Sequence, residues 1–144
     1  MTTPVLDALA RSDIAEVLVR YATGVDRRDW GLFHTCFTTD CVADYGDIGV
    51  WHGADEITAW MDEAHRAAGH TLHRITNQAV AAHEGGATAR CYVDAIVMGA
   101  DNLAGVRAVG FYDDELIQTE NGWQIHRRHF TPVFFQGIDP SATS

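Results

Sequence analysis

Lysine is absent from this chain of 144 residues, and a Schiff base to a carbonyl substrate or to pyridoxal phosphate requires one, so that chemistry is excluded. The only serines, Ser12, Ser141 and Ser144, lie near the two ends, and none sits in a G-x-S-x-G turn. A serine nucleophile on a rigid elbow therefore has no candidate. The 13 glycines form neither G-x-G-x-x-G nor G-x-x-x-x-G-K-[ST], which removes the usual cradles for dinucleotides and nucleotides. Cysteine is sparse: Cys36, Cys41 and Cys91 are an odd set without C-x-x-C spacing, and they read as reduced core residues rather than disulfide or zinc ligands. Apolar runs are short and the first residues lack a basic start before an apolar block, so neither a spanning helix nor a secretory signal is expected; the expected compartment is the cytoplasm. Cationic side chains are few as well. Ten arginines against 20 acidic residues give a formal charge of −10 with no basic stripe, which argues against nucleic acid as a partner.

What is present suits one globular core. Apolar residues make up 47% and charged residues 21% of the chain, and a chain of this length buries roughly two thirds of its unfolded surface. Ile14, Val17, Leu18, Tyr21 and Val25 recur at helical spacing behind Asp13 and Glu16, a pair that can cap a helix running to about Val25. A shorter helix opens at Asp29 with Trp30, Phe33 and Phe37 on one face, followed by a brief extended stretch from Cys41 to Asp47. A third helix begins near Gly53, carries Ile57, Trp60, Met61 and Ala64, and stops at Gly69. From Thr71 the period changes towards 2, giving strands over Thr71 to Val80, Ala87 to Met98, Val106 to Gln118 and Trp123 to about Phe135. Short turns separate them, including the hairpin signal Asn121-Gly122, so the pairing is antiparallel. Helices first and strands last define an α+β domain over residues 1–138, with 139–144 a loose tail. A twisted sheet covered by three helices can curl into a cone whose mouth holds a small molecule.

Asp26 falls in the last turn of the first helix, where the macrodipole disfavours a carboxylate. Either Arg27 and Arg28 compensate for it in solvent, or it turns into the pocket together with Tyr21, which otherwise serves as a core aromatic. His73 opens the first long strand in phase with Ile75 and so points inward, needing either a backbone carbonyl or an acidic partner. If Asp26 is that partner, the carboxylate fixes the imidazole tautomer and stabilises the imidazolium, as a general base requires. No metal is expected, because His70 and His73, like His126 and His129, are three apart and point to opposite faces of a strand. Asp94 lines the pocket or pairs with Arg90 or Arg107. Trp123, Ile125 and Arg127 share a face, with Arg128 on the other unless a bulge intervenes.

Tyr21-x-x-x-x-Asp26-x-x-Asp29-Trp30, then His73-x-x-x-Asn77, then Asn121-Gly122-Trp123-x-Ile125-x-x-Arg128 resembles the SnoaL-like group of the nuclear transport factor 2-like superfamily over nearly the whole chain. The Asp26 and His73 spacing is similar to that of hexachlorocyclohexane dehydrochlorinases, scytalone dehydratases and bile-acid 7α-dehydratases. The resemblance implies a cone-shaped α+β barrel with an antiparallel or mixed sheet, and a cofactor-independent lyase. In that pattern His73 removes a proton, Asp26 orients it, Tyr21 matches a catalytic tyrosine, and Tyr21 or Arg128 assists the leaving group. The residues around Tyr45 and Trp51 match no single subfamily. Tyr45, Trp51, Asp94, Phe33 and Asn77 are the expected contacts to a hydrophobic, cyclic or polyketide- or steroid-like substrate. The same parts suit isomerisation or enolate cyclisation, and the fold also serves as a non-catalytic scaffold. Self-association through the outer sheet face, as a dimer or trimer, is expected, and contact with membrane is not.

Overall fold

The computed structural model describes residues 5–142. Its first helix, α1 (Ala8–Asp26), starts five residues before the expected Asp13, because Asp7 is the residue that caps it: its Oδ1 accepts from the Ala10 amide at 2.8 Å. Ile14, Val17, Leu18, Tyr21 and Val25 form its buried stripe. The helix ends in a Schellman turn, in which Arg28 N donates to Val25 O and Asp29 N to Gly24 O, with Arg28 at φ 55° where glycine is usual. Asp29 then caps α2 (Trp30–His34) through the Leu32 amide. A Cβ on Gly24 would lie 2.9 Å from the Phe33 backbone, so a glycine there is what lets α1 and α2 touch.

The second helix is shorter than its aromatic spacing suggested. Phe37 begins strand β1 (Phe37–Asp44) instead, yet its ring still packs on Phe33 at 5.3 Å between centroids. A short 3-10 turn over Gly46–Ile48 leads into β2 (Val50–His52), a three-residue strand that the sequence pattern did not reveal. Helix α3 (Ala54–His65) follows Gly53 and buries Ile57 and Met61. Four long strands complete the chain: β3 (Thr71–His83), β4 (Gly86–Met98), β5 (Gly105–Thr119) and β6 (Gly122–Ile138). Gly122, at φ 91°, makes the tight turn of the β5–β6 hairpin. Within the expected tail, Pro140–Ala142 form a 3-10 turn, and residues 143 and 144 lie outside the described residues.

The sheet order is β2-β1-β6-β5-β4-β3, antiparallel throughout except for the parallel β1–β6 pair. It is a curved mixed sheet that stays open, with β2 and β3 as edges, and not a closed barrel. The core lies between its inner face and the helices. Ala87, Ala89, Cys91, Val93 and Ala95 project into it from β4, and Tyr112 and Leu116 from β5. Cys36, Cys41 and Cys91 are free thiols, all buried. Register shifts interrupt the ladder at Thr76/Ala79, Val109/Gly110 and Glu115/Leu116. The last one inserts an extra residue in β6, so Leu116 faces Ile125 while Glu115 faces Arg127. Inner-face phase therefore passes from Trp123 and Ile125 to Arg128 and Phe130, and Arg127 turns outward. No described helix is long and apolar enough to cross a membrane.

Candidate active site

Two elements meet at Asp26 and His73: the final residue of α1 and the third residue of edge strand β3. Asp26 Oδ1 lies 2.7 Å from His73 Nδ1, and Asp26 Oδ2 accepts from the His73 backbone amide at 2.8 Å. The Thr71 hydroxyl adds a third donor, 3.0 Å from Oδ1. Burial works against the Asp26 carboxylate, but the His73 ring, the His73 amide and Thr71 together outweigh it, and its pKa falls below the ordinary carboxylate value. An ionised Oδ1 accepts a hydrogen bond from a proton held on Nδ1, and in the neutral ring that tautomer leaves the lone pair on Nε2. Nε2 makes no hydrogen bond among the described residues, and the His73 side chain retains 10% of its exposure.

The neighbours of His73 on the inner face are small. Ladder partners share a face, and the row across the sheet runs His73, Ala95, Ala108, Phe135; the next row runs Ile75, Val93, Gly110, Pro132. Phe135 closes the row half-exposed at the rim. His65, the last residue of α3, sits within electrostatic reach of Asp26 and His73. Burial lowers its pKa, and its Nδ1 donates to Met61 O at 2.8 Å.

Deeper in, the other expected residues form a separate cluster. Tyr21 OH lies 2.8 Å from Tyr45 OH and 3.4 Å from Tyr112 OH. Burial raises the pKa of all three phenols well above the ordinary tyrosine value, so they are neutral donors and not phenolates. Arg128 lies over the Tyr112 and Tyr21 rings at 3.8 and 4.3 Å and forms two 2.8 Å bonds to Asp114. Burial disfavours its charge, yet Asp114 beside it holds the guanidinium proton more tightly than usual. Phe33 and Trp51 back this cluster, Phe33 against Tyr21 and Trp51 against Tyr45, and both are buried.

Two expected contacts lie elsewhere. Asp94 is out of phase with Val93 and Ala95, so it stands on the outer face, where it bridges Arg74 and Arg107 at 2.8–2.9 Å. Asn77 is exposed in the β3 bulge at φ 52°. The residues missed by the sequence pattern are Asp114, Tyr112, Thr71 and Arg28. Asp114 had a legible signal in its phase with Tyr112 and Leu116 on one strand.

A concavity of about 590 Å³ lies away from the dyad, lined among others by Arg90, Asp113, Glu115 and Arg127 and touching Asp114 and Arg128 of the buried cluster. Those charges pair with one another, Arg90 with Asp113 and Arg127 with Glu115, and the volume contains neither Asp26 nor His73. No group of three or more His, Cys, Asp or Glu side chains among the described residues could hold a metal ion.

The model of the SnoaL-like domain matches residues 7–129. An uncharacterised protein of Mycobacterium tuberculosis is 28% identical over 127 residues, 86% of either chain. A structure from Novosphingobium aromaticivorans, provisionally named an aromatic ring hydroxylase, matches at TM-score 0.84 and 29% identity, covering 93% of this chain and 96% of that one. A hexachlorocyclohexane dehydrochlorinase matches at TM-score 0.81 over 90% of this chain and 89% of its own, and at 15% identity that likeness is one of fold. With its open mixed sheet, three helices and matched span, the chain belongs to the SnoaL-like domain family, on the nuclear transport factor 2-like fold.

Proposed function

We propose that this chain is a cofactor-independent lyase that abstracts a proton from a small, largely apolar molecule and completes a β-elimination. The observation that carries this reading is the 2.7 Å contact of Asp26 Oδ1 with His73 Nδ1, which leaves Nε2 directed to chemistry rather than to structure. His73 Nε2 takes a proton from carbon, and the electron pair left behind forms the double bond as the leaving group departs from the adjacent carbon. A departing hydroxide then takes the proton from the imidazolium and leaves as water, which returns His73 to its basic form. Asp26 stabilises the imidazolium between these steps.

Tyr21 precedes Asp26 by five residues on one helix, about 7.5 Å along its axis. A ring with its acidic carbon at His73 would thus bring a carbonyl or leaving oxygen to the phenols and Arg128 only where that buried cluster opens to admit it. Neutral phenols beside a guanidinium also suit an enolate oxygen, which keeps isomerisation as the second reading. Membership of a small-molecule-processing family supports both over a scaffold role.

The test is deuterium exchange in D₂O with a panel of cyclic β-hydroxyketones, followed by NMR for α-proton loss and by absorbance for the conjugated enone. Wild type should exchange and dehydrate at least one member, while His73→Ala and Asp26→Asn, still folded, should lose 10²-fold or more. Exchange with migration of the double bond would select isomerisation. Equal rates in wild type and both variants would overturn the reading.

A further inference from the structure

Beyond the dyad, two groups line up in a chain that ends on Asp26. Arg28 Nη1 donates to Thr71 Oγ1 at 2.8 Å, and Thr71 Oγ1 donates to Asp26 Oδ1 at 3.0 Å, the oxygen that also meets His73 Nδ1. The guanidinium is itself fixed at both ends of the gap it spans, by Val25 O on α1 at 2.9 Å and by Gly69 O before β3 at 2.7 Å. We propose that Arg28 and Thr71 are positioning residues for the Asp26–His73 base: Arg28 sets the direction of the Thr71 hydroxyl, and that hydroxyl holds the Asp26 carboxylate in a single orientation towards the imidazole.

The direction follows from counting. A threonine hydroxyl has one proton and two lone pairs. Arginine only donates, so its N–H occupies a lone pair of Oγ1 and the one proton is left for the carboxylate. Without Arg28 the hydroxyl could rotate, and Oδ1 would lose a fixed donor. Thr71 is only 9% exposed, which keeps water from replacing it.

The backbone supports a selected role. Arg28 occupies the left-handed position of the Schellman turn at φ 55°, a conformation that costs any residue with a Cβ and that helix ends ordinarily give to glycine. Strain of this kind persists where the side chain is needed.

This inference rests on the proposed role of Asp26 and His73, and its test needs no substrate. In protein labelled at histidine and aspartate, NMR would follow the His73 Nδ1–H resonance and the Asp26 carboxyl titration, with His65 as the other titrating group nearby. Wild type should show a downfield Nδ1–H signal coupled to the Asp26 titration. Thr71→Val should move the Asp26 midpoint upward and displace the Nδ1–H signal, and Thr71→Ser should restore both. Arg28→Gly, although it relieves the backbone, should change both readouts in the same direction as Thr71→Val, by a smaller amount. If Thr71→Val and Arg28→Gly lower the unfolding midpoint while both readouts stay at their wild-type positions, the two residues only brace the fold and the inference fails. Absence of the Nδ1–H signal in wild type would remove the dyad itself, and this inference with it.

Discussion

Asp114→Asn provides a stringent test of the buried cluster. The Asp114 side chain is wholly inaccessible and that of Arg128 is 1% exposed, joined by two bonds of 2.8 Å. Asparagine keeps the shape and one acceptor but removes the charge, leaving a guanidinium buried against two phenol rings with, among the described residues, only Tyr45 OH at 3.5 Å as a further acceptor. Breaking a buried pair in this way costs about 3–5 kcal/mol, a large share of the 5–15 kcal/mol that a domain typically has. For a domain of this size the loss corresponds to a drop in Tm on the order of 10 °C. Urea unfolding followed by tryptophan fluorescence measures it directly, at unchanged m-value. Replacing the pair as Asp114→Leu with Arg128→Met should cost far less than the sum of the single changes, since an apolar pair leaves no orphaned charge. An Asp114→Asn loss below about 1 kcal/mol would refute the argument, because it would mean that water or another group already solvates Arg128.

The remaining predictions concern titration and thiol chemistry. The folded pKa of Asp26 is lowered, so its contribution to stability is complete above the ordinary carboxylate value, ~3.9, and is lost as pH falls through the lower folded value. The gap in urea midpoint between wild type and Asp26→Asn should therefore close on acidification below about pH 4; a gap unchanged down to pH 2.5 would contradict the shift. Burial pushes the Cys36 thiol up to about 12, and Cys41 and Cys91 up to about 11. Iodoacetamide at pH 8 should label none of them in the native state and all three in urea, and rapid native labelling would show that the core opens.

The sequence made the helices and long strands legible through their periods, because Ile14 to Val25 and the alternation from Thr71 onward repeat over several turns or pleats. It was less informative where one bond decides. The start of α1 depends on Asp7 reaching the Ala10 amide, and Asp13 with Glu16 gives an equally good local pattern. Strand β2 has three residues, too few for a period to show. A period of 2 assigns faces only between bulges, which is why Arg127 and Arg128 could not be separated until the shift at Glu115/Leu116 was seen. Asp26 and His73 were legible as a pair because each was anomalous in its own element. Asp114 was overlooked because the run Asp113-Asp114-Glu115 reads as a solvated surface, although its phase with Tyr112 and Leu116 marks the middle residue as inward, and it is buried. Thr71 and Arg28 belong to no motif, since their function depends on the approach of α1 to β3 and not on spacing.

The open sheet leaves β3 with one side unpaired, and an unpaired strand is a template on which another chain can add itself. Helix α1 fills part of that vacancy with side chains: the Asp26 carboxylate receives the His73 amide, and Arg11 donates to Val80 O at 2.7 Å, one near each end of the strand. The carboxylate bonded to the histidine ring thus also stands in for a missing seventh strand. The same two oxygens thus serve a side chain and a strand edge, and a variant that discards Asp26 altogether exposes a backbone donor of β3 as well as leaving His73 Nδ1 without its partner.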